Sequence, residues 1–332
     1  MNRSKKLRWR WWTAALTLAV MTLLLASCSK ETTQPHIAEA KKQVALVLKT
    51  QHSDFWRTVR TGAEAAAKEF NVELIVEAPV QEEDVAGQVK YVEEAINFKR
   101  DALVLAANDG AALAEPVKRA AAQRMPVIAI DTEVETGKTE AFIGINHYEA
   151  GRKAGKKLAE LLGGKGRVAL VSYKPDARNA AERERGVLES LAQHPDIRIA
   201  DKTYCYSDQR LCGEHARQLV QSAEPVDGIV ALHAVSSIGV AEEIERLGLQ
   251  GKVKVVTFDS TLEDIEYLQE GVIQATIIQN PFSMGYLGVK YAVDLLGGSK
   301  KVPARYDTGT TVIDQNNMFW SDNQKLLFPF VK

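Results

Sequence analysis

From Lys42 onward the chain alternates two hydrophobic patterns. Short runs of consecutive apolar, mostly β-branched residues read as strands buried on both faces: "VALVLK" (44–49), "VELIVEA" (72–78), "ALVLAA" (102–107), "PVIAID" (126–131) and "AFIGIN" (141–146). Between them lie longer stretches with apolar or small residues every three to four positions. In "DFWRTVRTGAEAAAKEF" these fall at 55, 59, 63, 66 and 70, a helical period. After Asn146 the alternation restarts. Helical "HYEAGRKAGKKLAELLGG" and "NAAERERGVLESLAQ" flank a strand at 167–173, and further strands are expected at 197–205, 228–233, 253–259 and 272–279, with "TTVID" as a last one.

Strands that alternate with helices predict parallel sheets covered on both faces, and roughly 290 residues suit two such domains rather than one core. The expected fold class is therefore α/β, with two doubly wound parallel-sheet domains. In open α/β sheets ligands lie beyond the carboxyl ends of the strands. Two halves facing each other there would form a cleft for a small molecule.

The residues at those strand ends are chemically consistent. The first strand ends in Lys49 and leads to Ser53, Phe55 and Trp56; the third leads to Asn108 and Asp109; the fourth ends in Asp131. In the second half Asn179 and Arg183 follow the first strand, and later strands end in His233, in Phe258 with Asp259, and in Gln279. Aromatics, carboxylates, a guanidinium and amides at one lip suit a sugar. Its hydroxyls need donors and acceptors, and its C–H faces suit aromatic rings. Adjacent helix residues point about 100° apart, so Phe55 and Trp56 cannot share one direction, and at least one is expected to face the ligand.

The first residues add location. Arg3, Lys5, Lys6, Arg8 and Arg10 precede an apolar run from Ala14 to Ala26, which is short for a membrane span and suits a signal peptide. The run ends in Leu25-Ala26-Ser27-Cys28, which resembles a bacterial lipobox. A signal peptide at 1–27, lipidation of Cys28 and a flexible tether at 28–41 are expected. That places the domain outside the cytoplasm, held by lipid to the cell membrane, on the outer face of a Gram-positive cell or on the periplasmic side. The whole chain has 42 basic and 43 acidic residues; five basic ones lie in the leader, so processing would leave 37 against 43, a net of −6. A mildly acidic surface argues against nucleic acid as a partner. Cys205 and Cys212, in "YCYSDQRLC", are expected to form a disulfide in an oxidising compartment. No His/Cys group stands at metal-ligand spacing, and neither a metal nor a cofactor is expected.

The strand–"DFW"–helix opening, "PVIAID", "NAAERERG", "VVTFD" and "IIQNPFSMG" resemble the ribose-binding branch of the type I periplasmic binding proteins, from about Lys42 to Asp314. The resemblance implies three chain crossings between the lobes, near residues 145–146, 279–280 and 310–312. It implies an N-terminal lobe of 42–145 plus 280–311 and a C-terminal lobe of 146–279 plus 312–332, closing as a hinged trap. It places Phe55 and Trp56 on the faces of a sugar. Asp131, Arg183, Asp259 and Gln279 would serve its hydroxyls, and Phe258 would stand beside them. Lys49, His233-Ala234 and Thr132 depart from the ribose-binding pattern. Lys49 would either pair with Asp131 or Asp259 or meet an anionic or keto group of the ligand. His233 would either hydrogen-bond a hydroxyl or line the wall.

The function expected is capture of a monosaccharide or related polyol and its delivery to an ABC permease by a monomeric protein. The alternative is a sensing accessory that presents bound sugar, or a furanosyl quorum signal, to a membrane histidine kinase. Catalysis is not expected, because no nucleophile elbow or phosphate loop is present; "GGKG" (163–166) reads as a helix stop. The C-terminal stretch with Phe319, Trp320, Phe328 and Phe330 is expected to pack on the second domain.

Overall fold

The computed structural model describes residues 40–175, 177–299 and 301–328. The expected signal peptide, Cys28, nearly all of the expected tether and Phe330 lie outside them. The described residues from Lys41 onward form one compact unit. Among the described residues no helix is long and apolar enough to cross a membrane.

The first sheet contains β1 (Gln43–Val47), β2 (Glu73–Glu77), β3 (Ala102–Leu105), β4 (Val127–Ile130) and β5 (Ala141–Gly144), joined by a short late strand, β11 (Arg305–Asp307). Its order is β11-β5-β4-β3-β1-β2, all parallel. Alternate residues of each strand point to opposite faces. Val44 and Leu46 join the core under α1 (Asp54–Glu69) and α9 (Pro281–Leu296). Ala45 and Val47 join the core under α2 (Val85–Asn97) and α3 (Ala114–Ala122).

The second sheet repeats the plan. It contains β6 (Lys165–Ser172), β7 (Asp196–Tyr204), β8 (Gly228–Ala231), β9 (Lys254–Phe258), β10 (Ala275–Ile278) and β12 (Thr311–Asp314). The order is β12-β10-β9-β8-β6-β7. Here β12 runs antiparallel to β10, so this sheet is mixed at one edge. Val168 and Leu170 face α4 (His147–Leu161) and α5 (Arg178–Leu191). Ala169 and Val171 face α6 (Gln209–Val220), α7 (Ala234–Arg246) and α8 (Leu262–Gln269).

The chain passes from the first sheet to α4 between Gly144 and His147, returns from β10 to α9 between Ile278 and Pro281, and leaves again between Asp307 and Thr311. The first two passages start their helices alike. Asn146 caps α4 by accepting from the Glu149 amide at 3.1 Å, and Asn280 caps α9 by accepting from the Ser283 amide at 3.0 Å. Each satisfies a backbone donor that a helix start leaves unpaired.

Two close helix crossings stiffen the lobes. In the first, Gly62 of α1 and Gly285 of α9 lie against the backbone carbonyls of Phe282 and Val59. In the second, Gly151 of α4 and Gly186 of α5 lie against those of Arg183 and Tyr148. A methyl at any of the four would overlap a carbonyl oxygen, so these crossings require glycine.

The C-terminal segment divides. Met318, Leu327 and Phe328 pack into the second lobe's core alongside α10 (Ser321–Leu327), but Phe319 and Trp320 are 70% and 66% exposed. The expectation that this stretch packs down holds for its apolar positions on one side only. The two aromatics lie in the turn before α10 and point to solvent.

Candidate functional site

Between the carboxyl ends of the two sheets lies a cavity of about 610 Å³. One wall comes from the first lobe: Lys49 beyond β1, Ser53, Phe55 and Trp56 at the start of α1, Glu82 beyond β2, and Asp131 beyond β4. The other comes from the second lobe: Tyr173 beyond β6, Asn179 and Arg183 in α5, Tyr206 and Ser207 beyond β7, His233 beyond β8, Asp259 beyond β9 and Gln279 beyond β10.

The first wall centres on a buried ion pair. The Lys49 ammonium lies 2.9 Å from Asp131 Oδ2 and donates to Thr132 Oγ1 at 2.8 Å, while that hydroxyl donates to the same carboxylate oxygen at 2.8 Å. Burial pushes the Asp131 carboxyl up, but the Lys49 charge and hydrogen bond, with Arg183 beyond, outweigh it and hold the pKa at about 2. Asp131 is therefore a carboxylate. Lys49 is paired with Asp131, one of the arrangements expected of it, and also lines the cavity.

His147 links this wall to the other. Arg183 donates from Nε to His147 Nδ1 at 3.3 Å, so the opposite ring nitrogen carries the proton and donates to the Asp131 carbonyl at 2.9 Å. Burial first, then the Arg183 charge, pull its pKa down to about 3, and the ring is neutral. Arg183 itself is buried. It donates to the Leu232 carbonyl at 2.7 Å, and its guanidinium lies 4.5 Å from the Phe258 ring centroid.

Asp259 Oδ1 accepts from Gln279 Nε2 at 2.7 Å, and burial raises its carboxyl against the opposing pull of Arg183 and Gln279. Gln279 Oε1 is buried with no partner within the protein. His233 Nδ1 lies 2.8 Å from Ser236 Oγ, and its ring lies 4.4 Å from that of Tyr173. Burial, then Arg183 and Lys49, lower its pKa to about 3. Tyr173 donates to Asn179 Oδ1.

Phe55 and Trp56 meet edge to face with centroids 4.9 Å apart. Trp56 is buried against the first lobe's core and turns its indole N–H to Glu82 Oε1 at 3.1 Å. Burial raises the Glu82 carboxyl, opposed by Lys49 and by this hydrogen bond. Phe55 packs against the cores of both lobes. A second cavity of about 720 Å³ shares Phe55, Ala234, Asp259 and Gln279 with the first and continues toward α10.

Nine of the eleven residues expected at the ligand line the first cavity. Asn108 does not: its amide donates to the Lys49 carbonyl at 3.2 Å, which braces that loop from behind. Phe258 does not either, because it faces the inner core and offers its ring to Arg183. Glu82, Tyr173, Asn179, Tyr206 and Ser207 also line the cavity. Asn179 was legible beside Arg183; the others lie just beyond strand ends or in loops where no periodicity marks them. Cys205 and Cys212 are joined by a disulfide. Among the described residues no group of side chains could hold a metal ion.

Two like-ordered sheets presenting hydrogen-bonding groups and aromatic rings across one cleft define a hinged small-molecule binding protein. The profile of the family described as "Periplasmic binding protein domain" matches residues 44–300, and the chain belongs to that family of extracytoplasmic binding proteins, in its type I, ribose-binding-like branch. It is a binding protein, not an enzyme. The chain is 26% identical to the D-allose-binding periplasmic protein of Escherichia coli (strain K12) over 274 residues, 80% of this chain and 88% of that one. It is 26% identical to the ribose import binding protein of Bacillus subtilis (strain 168) over 291 residues, 86% and 93% of the two chains. Among solved structures it resembles a carbohydrate transporter solute binding protein from Agrobacterium radiobacter in complex with D-arabinose (TM-score 0.84, 27% identity, 87% of this chain and all of that one). It also resembles a glucose-galactose binding protein from Geobacillus stearothermophilus (TM-score 0.78, 31% identity, 85% and 100%).

Proposed function

We propose that this protein captures a monosaccharide or related polyol in its interlobe cleft and delivers it to an ABC permease, held at the membrane by lipid on Cys28. The observation that carries the reading is the pairing of unlike chemistry across one cavity. Asp131, Asp259, Arg183 and Gln279 supply acceptors and donors, with Gln279 Oε1 still lacking a partner, and Phe55 and Trp56 supply apolar edges. Buried hydrogen-bonding groups discriminate strongly for a ligand that satisfies them, because an unmet one costs about 1–3 kcal/mol. Relatives named for allose, ribose import and xylitol support a sugar or polyol as ligand, and import as its purpose. In this reading the ligand bridges the two walls and closes the lobes, and only a ligand that binds the closed form better can shift that equilibrium.

The test is a thermal-shift screen of protein beginning after Cys28, unfolded and refolded to remove carried ligand, against pentoses, hexoses, polyols, sugar acids and sugar phosphates. A neutral sugar or polyol is expected to raise the melting temperature by mass action. A shift with anionic ligands alone, or with none, overturns the neutral-sugar reading. Incorporation of labelled palmitate, lost in Cys28→Ala, tests the anchor separately.

A further inference from the structure

The disulfide lies where the second lobe's wall has no regular structure to hold it. Cys205 directly follows β7, and Cys212 lies in the first turn of α6; both are fully buried. Of the six residues between them, Tyr206, Ser207, Asp208 and Leu211 all line the cavity. Tyr206 and Ser207 are consecutive non-glycine residues at φ 51° and 56°. L-residues avoid this left-handed region, and it persists only where surrounding structure imposes it.

Both ends of the loop are anchored. The Cys205 amide donates to the Ser172 carbonyl at 2.9 Å and the Tyr206 amide to the Tyr173 carbonyl at 2.7 Å, tying the loop to the end of β6. Asp208 accepts from the Leu211 amide at 3.0 Å and starts α6. The Cys212 side chain fits against Gly239 of α7, so the cross-link runs from the sheet edge to a close helix–helix contact. Ser207 Oγ lies 3.4 Å from His233 Nε2, so the loop's position also sets what stands beside His233.

We infer that the Cys205–Cys212 disulfide is a positioning element for ligand binding: it holds the Tyr206–Ser207 turn in the left-handed conformation that forms the second lobe's cleft wall. This rests on the cleft being the sugar site. The cross-link removes alternative loop conformations before the ligand arrives, so closure does not have to order them.

The test compares wild type with Cys205→Ser/Cys212→Ser and with Cys205→Ala/Cys212→Val, which keeps the apolar volume, using the sugar that stabilises wild type. We expect at least a tenfold loss of affinity by calorimetry, and faster hydrogen exchange at residues 206–211 than in the β6 and β8 core. Affinity within twofold of wild type in a folded disulfide-free variant overturns the inference. If neither variant folds, wild type decides: the 206–211 amides should be protected before sugar is added and change little on binding. Free exchange there in the sugar-free protein overturns it. Failure of wild type to bind any sugar is a separate result that counts against the ligand reading, because the exchange measurement on sugar-free wild type needs no ligand.

Discussion

Asp131 and Asp259 are counterparts. Each directly follows the strand third from the edge in its sheet's order, β4 or β9. Each has a left-handed backbone, at φ 59° and 72°. Each donates its amide to the neighbouring strand, Asp131 to the Ile143 carbonyl at 2.9 Å and Asp259 to the Ile277 carbonyl at 3.0 Å. The same turn aims one carboxyl from each lobe into a common cavity. The environments differ, since Asp131 has Lys49 and Asp259 has Gln279.

That difference makes the Lys49–Asp131 pair a stability element. Lys49→Met leaves a buried carboxylate without its cation and should cost about 3 kcal/mol. Lys49→Met/Asp131→Asn removes both charges and should restore much of it. Urea unfolding with an unchanged denaturant slope checks both.

His147 predicts a pH dependence. Its folded pKa is about 3 against an ordinary 6.5, so between those values the unfolded chain binds a proton that the folded one does not. Stability from this group is fully present above 6.5 and is lost as pH falls toward 3, at up to about 1.4 kcal/mol per pH unit. His147→Gln, which still offers one donor and one acceptor, should flatten the stability profile between pH 6 and 4 by about that slope. An equal slope in the variant would remove His147 as its source.

Protein beginning after Cys28 has two tryptophans, Trp56 in the cleft and Trp320 on the surface. In Trp320→Phe, sugar binding should change the fluorescence; in Trp56→Phe it should leave the remaining signal unmoved. Trp56→Ala should weaken sugar binding about tenfold or more, equal to about 1.4 kcal/mol. Retained affinity there would assign Trp56 to the core alone.

The paired glycine crossings should separate stability from binding. Gly285→Ala forces α1 and α9 apart and should destabilise the protein by about 2 kcal/mol or more. Gly151→Ala presses on the backbone of Arg183, and should also reduce sugar affinity in protein that is still folded. Equal affinities in the two variants would show that Arg183 tolerates the shift.

How much of this was legible follows from periodicity. Buried parallel strands are apolar on both faces, so their ends stand out, and Asp131, Asp259 and Gln279 could be found as the first polar residues after each run. The same rule misplaced Phe258 and Asn108. It locates a residue near a strand end but does not say whether the side chain points along the strand or back into the layer. Phe258 is the last residue of β9 and points to the α4/α5 face. Glu82 and Ser207 lie in irregular loops, where position depends on contacts distant in sequence. The short strand β11 passed unseen because Arg305, Tyr306 and Asp307 are exposed and lack an apolar pattern.

The crossings also set an order of assembly during synthesis. The first sheet begins with Gln43, but it gains β11 and its covering helix α9 only when residues 281–307 have been made. By then every element of the second sheet except β12 has already been translated. The lobe that starts first therefore waits for its cover: its apolar face under α9 stays open until all of its partner but β12 and α10 has been made.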